Sequence, residues 1–421
     1  MAVVDMGALV DLDRGLIDRR IFADPDIYER ELERIFARCW LYLGHESQLA
    51  KPGDFLSTYM GEDPVLVVRG TDGRVRAFLN TCRHRGNRVC RVDEGNTKAF
   101  TCAYHGWTYD TLGKLVAVPS YKEFWFEELD TSQWGLAPVA QVDSYKGLIF
   151  GTIDPAAPPL LDYLGDMAWC LDAVIDRREG GMEVIGGVHK WTVDANWKTA
   201  AENFAGDAYH VPRTHISAIR TGFGGASLQP AGYGVGYGGV QINPHVGHGM
   251  GARIVDQIEE LGTSTAPGAA KYTVDNYPKA EERLGRTRAR MSIMHGTVFP
   301  NLSFLTAAST IRVWHPRGPL RFEVWSWCIV DKEAPPEVKD ALRVHSLRRF
   351  SPGGTLEQDD SANWTQVSWS GRGVAARRVP LNYQMGLGHE GPHDDIPGRV
   401  GPWESDTNQR AFYRYWAELM R

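Results

Sequence analysis

The chain lacks several things, and each absence narrows its function. It has no apolar run of the ~18 to 20 residues that a membrane-spanning helix requires. It has no block of basic residues. Its 46 lysines and arginines face 52 aspartates and glutamates, a formal net charge of -6, which argues against nucleic-acid or membrane-surface binding. No internal repeat is present. Six cysteines in 421 residues are too few for a disulfide scaffold. In a reducing compartment, a cysteine near histidines is more often a metal ligand. The N-terminal MAVVDMGALVDLDRG carries acids where an export leader carries lysines, and it lacks an apolar segment, so the cytoplasm is the expected location. What remains is an ordinary globular composition, 43% hydrophobic and 23% charged, long enough for two domains.

The pattern along the chain changes twice. DPDIYERELERIFARCW (24–40) has helical periodicity, with Asp24 or Asp26 available as a cap. From 41 to 158 the texture is of short strands, including VLVVRGTDGRVRAFL, a hairpin turning at Asp72-Gly73. DPAAPPLLDYL (154–164) is a Pro-rich boundary. Beyond it, strands are expected at VIGGVHKWTV and in a long hairpin turning near Arg317-Gly318. Helices are expected at NWKTAAENFAGDAYH, PPEVKDALRVHSLRRF, the segment after Thr355, and SDTNQRAFYRYWAELM. The Gly-rich stretch 222–251 has neither period and suits a loop over a pocket or a surface insertion.

Two constellations carry chemistry. In CRHRGNRVCRVDEGNTKAFTCAYH (82–105), Cys82 and His84 form one pair and Cys102 and His105 a second. Four such ligands suit one tetrahedral Zn²⁺, or a [2Fe–2S] cluster with sulfurs on one iron and imidazoles on the other. Zinc fingers usually order a Cys pair before a His pair, and the mixing here favours the cluster. Gly86 and Gly106 permit tight turns, while Trp107 and Tyr109 can shield the metal. Cys90 lies outside both pairs and reads as a buried bystander, as do Cys39, Cys170 and Cys328. In NWKTAAENFAGDAYHVPRTH (196–215), Asp207 and His210 are spaced to share a helix face. His210 and His215 would point about 140° apart on an ideal helix, so they converge only if the helix breaks, and Pro212 is placed to break it. LEQDDSANW (356–364) offers Asp359 and Asp360 early in a helix that Thr355 can cap. Two histidines and a carboxylate leave open positions on Fe(II) and suit a non-haem oxygenase.

CRHRG…CAYHGWTYD, NWK…AENFAGDAYH…TH and EQDD-x-x-NW, in that order, resemble the motifs of the large (α) subunit of Rieske non-haem iron aromatic-ring-hydroxylating oxygenases, of the naphthalene and biphenyl dioxygenase type. The similarity runs over nearly the whole chain. It implies an α+β fold. Residues 1–40 would form an N-terminal helical segment, 41–158 a small all-β Rieske domain, and 159–421 a catalytic domain with an antiparallel sheet wrapped by helices. It assigns Cys82, His84, Cys102 and His105 to the [2Fe–2S] cluster, and His210, His215 and Asp360 to a mononuclear iron. Asp207 becomes the electron bridge between subunits, Asn203 a further catalytic residue lining the active site or its approach, and Phe204, Val211, His295 and Asn301 the pocket. At Pro212-Arg213 the sequence departs from the naphthalene type, and Arg213 is expected at a subunit interface. The implied activity is cis-dihydroxylation of an aromatic ring with O2. Electrons would come from NAD(P)H through a ferredoxin or reductase, in an α3β3 or α3 assembly. Monooxygenation of an aromatic compound or aromatic acid is the rival enzyme reading. An electron carrier with only the Rieske domain active and a structural zinc protein are the rivals of other classes.

Overall fold

The computed structural model describes residues 9–220 and 238–421. The chain divides into two compact units, one made of residues 36–160 and the other of 1–35 with 161–421.

The smaller unit is built of three antiparallel sheets. Four strands run in the order Val75–Leu79, Asp63–Arg69, Asp54–Met60 and Glu94–Asn96. The hairpin at Asp72-Gly73 forms as expected, with Gly70 N–H donating to Arg74 O across the turn. Three further strands are Ala99–Thr101, Thr108–Asp110 and Leu115–Ala117. Leu41–His45 closes a third sheet with Leu148–Thr152 and Gln141–Tyr145. One apolar cluster, including Phe55, Leu66, Phe100, Trp107 and Tyr109, encloses Cys82 and Cys102.

The larger unit rests on one eight-stranded antiparallel sheet. In chain order its strands are β1 (Met182–Val193), β2 (Gly239–Asn243), β3 (Gly249–Ile254), β4 (Met291–Val298), β5 (Leu302–Leu305), β6 (Thr310–Pro316), β7 (Phe322–Asp331) and β8 (Arg399–Pro402). Their spatial order is β1-β7-β6-β5-β4-β3-β2-β8. Residues 222–237 of the Gly-rich stretch lie outside the described residues. The remainder is no loop, since β2 and β3 are paired strands. Glycine conceals them from a propensity reading but lets neighbours approach: a Cβ on Gly251 would stand 2.4 Å from the His295 ring.

Six helices matter to the site: α1 (Pro25–Glu31), α2 (Trp197–Gly206), α3 (Val211–Thr214), α4 (Pro336–Phe350), α5 (Thr355–Ser370) and α6 (Thr407–Met420). Asp24 caps α1, accepting from the N–H groups of Asp26 and Ile27. The regular helix is shorter than the periodicity suggests and passes into a π turn at Leu32–Phe36. Glu31 ends α1 fully buried. It accepts from Trp197 Nε1 (2.9 Å), Trp416 Nε1 (2.7 Å) and Lys198 Nζ (2.6 Å), tying α1 to α2 and α6. A buried ion pair needs such extra donors, because desolvation otherwise outweighs attraction.

Candidate metal centres and active-site cavity

The two loops of the smaller unit repeat one backbone pattern. Cys82 O accepts from Gly86 N–H, and Cys82 N–H donates to Asn87 O; Cys102 O accepts from Gly106 N–H, and Cys102 N–H donates to Trp107 O. Gly86 and Gly106 have φ of 72° and 73°, which a side chain would resist. The loops bring like groups together. The thiols of Cys82 and Cys102 interact, and the rings of His84 and His105 lie with centroids 4.5 Å apart. A sulfur pair beside an imidazole pair matches a cluster of two unlike irons. His84 Nδ1 is buried without a hydrogen-bond partner, as a nitrogen reserved for a metal would be.

Neighbours fix these groups. The Trp107 ring stacks on His84 at 5.1 Å and 9°. Tyr109 OH lies 3.3 Å from Cys82 Sγ and accepts from Arg83 N–H. Asn87 Nδ2 approaches Cys102 Sγ at 3.6 Å. Cys90 is buried but turns away, its thiol facing Val92 O. Its segment is held by Asn80, whose side chain accepts from the N–H groups of Val89 and Cys90 and donates to Cys90 O. Asn80 and Asn87 carry no motif signal, and reading the sequence did not find them.

In the larger unit, Asp207 and His210 do not share a helix face, contrary to expectation. Asn196 caps α2, which ends at Gly206, and Asp207 leaves the helix with ψ 83°. The break also precedes Pro212, which occupies the first turn of α3, where a proline starts a helix. His210 and His215 flank that short helix as its N-cap and C-cap. This converges the rings, with centroids 5.4 Å apart. Thr355 does not cap α5. Gly354 takes that place, where a Cβ would stand 2.4 Å from Arg349 backbone atoms, and the Thr355 hydroxyl donates to Arg348 O.

Asp360 on α5 reaches both histidines through one oxygen. Its Oδ1 is 3.4 Å from His210 Nε2 and 3.3 Å from His215 Nε2. Donor atoms of the three residues lie within 4.8 Å of one another, the two-imidazole, one-carboxylate set that suits Fe(II) with open positions. Each ring is oriented from behind. Asp207 Oδ2 is 3.3 Å from His210 Nδ1, and Asp359 Oδ2 is 3.2 Å from His215 Nδ1. Carboxylates that accept the Nδ1 protons leave both Nε2 lone pairs facing the centre. Asp359 is thus a positioning group. Asn203 Nδ2 lies 3.3 Å from both Asp207 Oδ2 and His210 Nδ1. Burial would lift the Asp360 carboxyl, yet the two imidazoles hold it well below the usual carboxylate range. Burial would likewise lift Asp207, and His210 holds it low.

Beside this triad opens a cavity of about 690 Å³ counting its mouth, walled by Phe204, Val211, Ile293, Leu305, Phe350 and Trp403, with His295 in its lining. Apolar walls with a few polar groups at one end are those of a small-molecule site. His295 Nδ1 donates to Phe204 O, and burial pushes its pKa down to about 4, so it is neutral near pH 7. Asn301 stands apart from the cavity lining. It is buried and donates to Trp314 O, tying β5 to β6. Arg213 also lies outside the lining, over the Tyr209 ring at 3.8 Å and 3.9 Å from Glu404. Ile293, Leu305, Phe350 and Trp403 could not be singled out by sequence, since each reads as ordinary core.

Known proteins resemble this chain over its whole length. Residues 182–421 match the family described as ring hydroxylating alpha subunit (catalytic domain), and 39–145 match the Rieske [2Fe-2S] domain. The biphenyl dioxygenase subunit alpha of Metapseudomonas furukawaii is 45% identical, over 98% of this chain and 92% of that one. The benzene 1,2-dioxygenase subunit alpha of Pseudomonas putida is also 45% identical, over 99% and 93%. The crystal structure of naphthalene 1,2-dioxygenase from Rhodococcus sp. bound to indole superposes with a TM-score of 0.88 at 37% identity, over 100% of this chain and 99% of that one. The chain belongs to the ring-hydroxylating dioxygenase α subunits, Rieske-type oxidoreductases with a [2Fe–2S] domain and a non-haem iron catalytic domain. No helix among the described residues is long and apolar enough to cross a membrane.

Proposed function

We propose that this chain is the terminal oxygenase component that cis-dihydroxylates an aromatic hydrocarbon of one to a few rings, of the kind named for its benzene and biphenyl dioxygenase relatives. The observation that carries the reading is the apolar cavity opening onto His210, His215 and Asp360. When bound, the cluster supplies single electrons drawn from a ferredoxin or reductase fed by NAD(P)H, and the iron supplies a site for dioxygen beside the ring.

The protein's own residues provide the rest. Cys82, His84, Cys102 and His105 hold the cluster; His210, His215 and Asp360 hold the iron. Asp359 and Asp207 keep the two imidazoles turned inward. About a third of the Asp207 side chain is exposed, so it can accept a second N–H from a cluster histidine of a neighbouring subunit and bridge the two centres. That role requires a trimer at least, with a β subunit in an α3β3 assembly, and a cytoplasmic location follows from the electron supply. Phe204, Val211 and Phe350 hold the ring by contact and exclude water, and neutral His295 offers a polar edge without charge. Among the described residues Arg349 is the only lysine or arginine in the cavity lining, and the apolar remainder favours hydrocarbons.

The test is a single turnover of reduced protein with ¹⁸O2 and a panel of aromatic hydrocarbons and aromatic acids. Two labelled oxygens in a hydrocarbon product support the proposal. One labelled oxygen selects monooxygenation, and reoxidation of the cluster without product selects an electron carrier.

A further inference from the structure

Dihydroxylation consumes protons as well as electrons. A ring CH=CH, O2, two electrons and two protons give one cis-diol, and the apolar cavity offers no obvious source for the protons. A second cavity also borders the triad. Its lining is polar and includes Glu202, Asn203, Asp207, His210, Tyr383 and Asp406. It touches the triad through His210 and Asp360, and its polar walls suit ordered water.

Glu202 is a part-buried titratable group with no part in the function so far described. It sits on α2 five residues before Asp207 and belongs to the lining of the polar cavity. The Tyr383 hydroxyl stands 3.1 and 2.9 Å from its two carboxyl oxygens. The fully buried Tyr413 hydroxyl of α6 faces the same carboxyl. The other charged or titratable groups around it are Lys198 on its own helix, Asp207 just past the end of that helix, Asp406 at the start of α6, and Glu31 beyond Tyr413. Lys198 is committed to Glu31, and among the described residues no cation forms an ion pair with Glu202.

We propose that Glu202 is a proton-loading residue, holding a proton on its carboxyl and releasing it through the polar cavity toward the Asp207–His210 side during turnover, with Tyr383 on its reloading path. The step moves one of the two protons of the balance. The Glu202 O–H bond breaks, an O–H bond of cavity water forms, and the carboxylate regains its proton from solvent. The two electrons come from the reduced ferredoxin, and Glu202 is not itself oxidised or reduced. Burial pushes its pKa up to about 8, the two tyrosines opposing and Asp207 and Asp406 adding to the rise. Asp406 is itself raised to about 6 by burial. A carboxyl whose pKa is raised toward neutrality can both give and regain a proton.

This inference rests on the dioxygenase reading, and the test separates the two. In the holoenzyme, infrared difference spectra across pH 6 to 10 are expected to show a protonated-carboxyl C=O band that titrates near pH 8 and is absent from Glu202→Gln. Turnover of wild type should fall as pH rises through that value. Glu202→Gln should lose roughly 10²-fold in rate and the alkaline limb of the profile, with iron and sulfide contents intact. Hydrogen peroxide brings both electrons and both protons, so it should restore diol formation in Glu202→Gln to the wild-type peroxide rate. Tyr383→Phe, which removes only a hydroxyl, should slow turnover without abolishing the band. Wild-type rate and pH profile in both variants, or a missing band, would overturn the relay. Absence of diol from wild type, with O2 and with peroxide, would instead overturn the dioxygenase reading.

Discussion

The buried carboxylate of Glu357 meets the guanidinium of Arg312 one helical turn before Asp360. Arg312 lies on β6, and its second nitrogen donates to Phe350 O at the end of α4. The pair therefore pins α5 against the sheet and the preceding helix at the turn that presents the candidate iron carboxylate. Burial raises the Glu357 carboxyl, and Arg312 opposes the rise. Removing one partner of a buried pair strands the other. Glu357→Ala is expected to cost about 3 to 5 kcal/mol in urea unfolding. It should also lower mononuclear iron occupancy while acid-labile sulfide stays at the wild-type level. Iron occupancy equal to wild type would mean that α5 is positioned by other contacts.

Asp207 is expected to matter to electron delivery more than to metal retention. It orients His210 from the Nδ1 side and does not belong to the converging triad. Asp207→Ala should keep both metal contents within a small margin and lose 10- to 100-fold or more in product per reduced cluster, in the range found for partners of metal ligands. Asn203→Ala, which removes one amide from the same trio, should lose less. Loss of iron in Asp207→Ala equal to that in His210→Ala would show a structural role and no bridge.

Much of this arrangement is legible in the sequence, and the legible part follows one rule. Side chains whose chemistry is rare, Cys82, His84, Cys102, His105, His210, His215 and Asp360, announce themselves at any burial. Groups with common chemistry do not. Asn80 holds its loop by backbone bonds and Asn87 by its approach to the Cys102 thiol, contacts that any asparagine could make. Phe350 and Trp403 become cavity walls only because α4 and the loop after β8 bring them there. The glycines that form β2 and β3 carry no strand propensity, since their use is the close approach of His295. Local rules also misplaced the helix break. Pro212 looks like a breaker by itself, but at the first turn of α3 it is a starter. Asn301 has the polarity of a pocket residue and is spent on the β5–β6 connection.

The cysteines offer a direct contrast. Cys82 and Cys102 face one another, whereas the Cys90 thiol faces Val92 O. Cys82→Ser is expected to abolish the visible absorption of the cluster. Cys90→Ala should leave the spectrum and sulfide content unchanged and cost roughly 1 kcal/mol for the small cavity it opens. A bleached Cys90→Ala protein would reassign the ligand set.

Stability should fall on the acid side for a reason that can be traced to one ring. His248 is fully buried, donates from Nε2 to Tyr163 O and accepts the Phe299 N–H at Nδ1. Both nitrogens are therefore used by the neutral form, and a second proton would have no acceptor. Burial depresses its pKa to about 4, only partly offset by the Tyr163 carbonyl. The unfolded ring, near pH 6.5, takes up its proton first, so the unfolded state binds more protons between pH 6.5 and 4. Stability is then fully present above pH 6.5 and declines as pH falls toward 4, by about 2 kcal/mol at pH 5 from this ring alone. His295, also pushed down to about 4 by burial, adds a decline of the same sign. His248→Gln keeps one donor and one acceptor but cannot titrate. Urea unfolding at pH 7 and pH 5 should show a smaller loss for this variant than for wild type. An equal loss in both would place the acid sensitivity elsewhere in the chain.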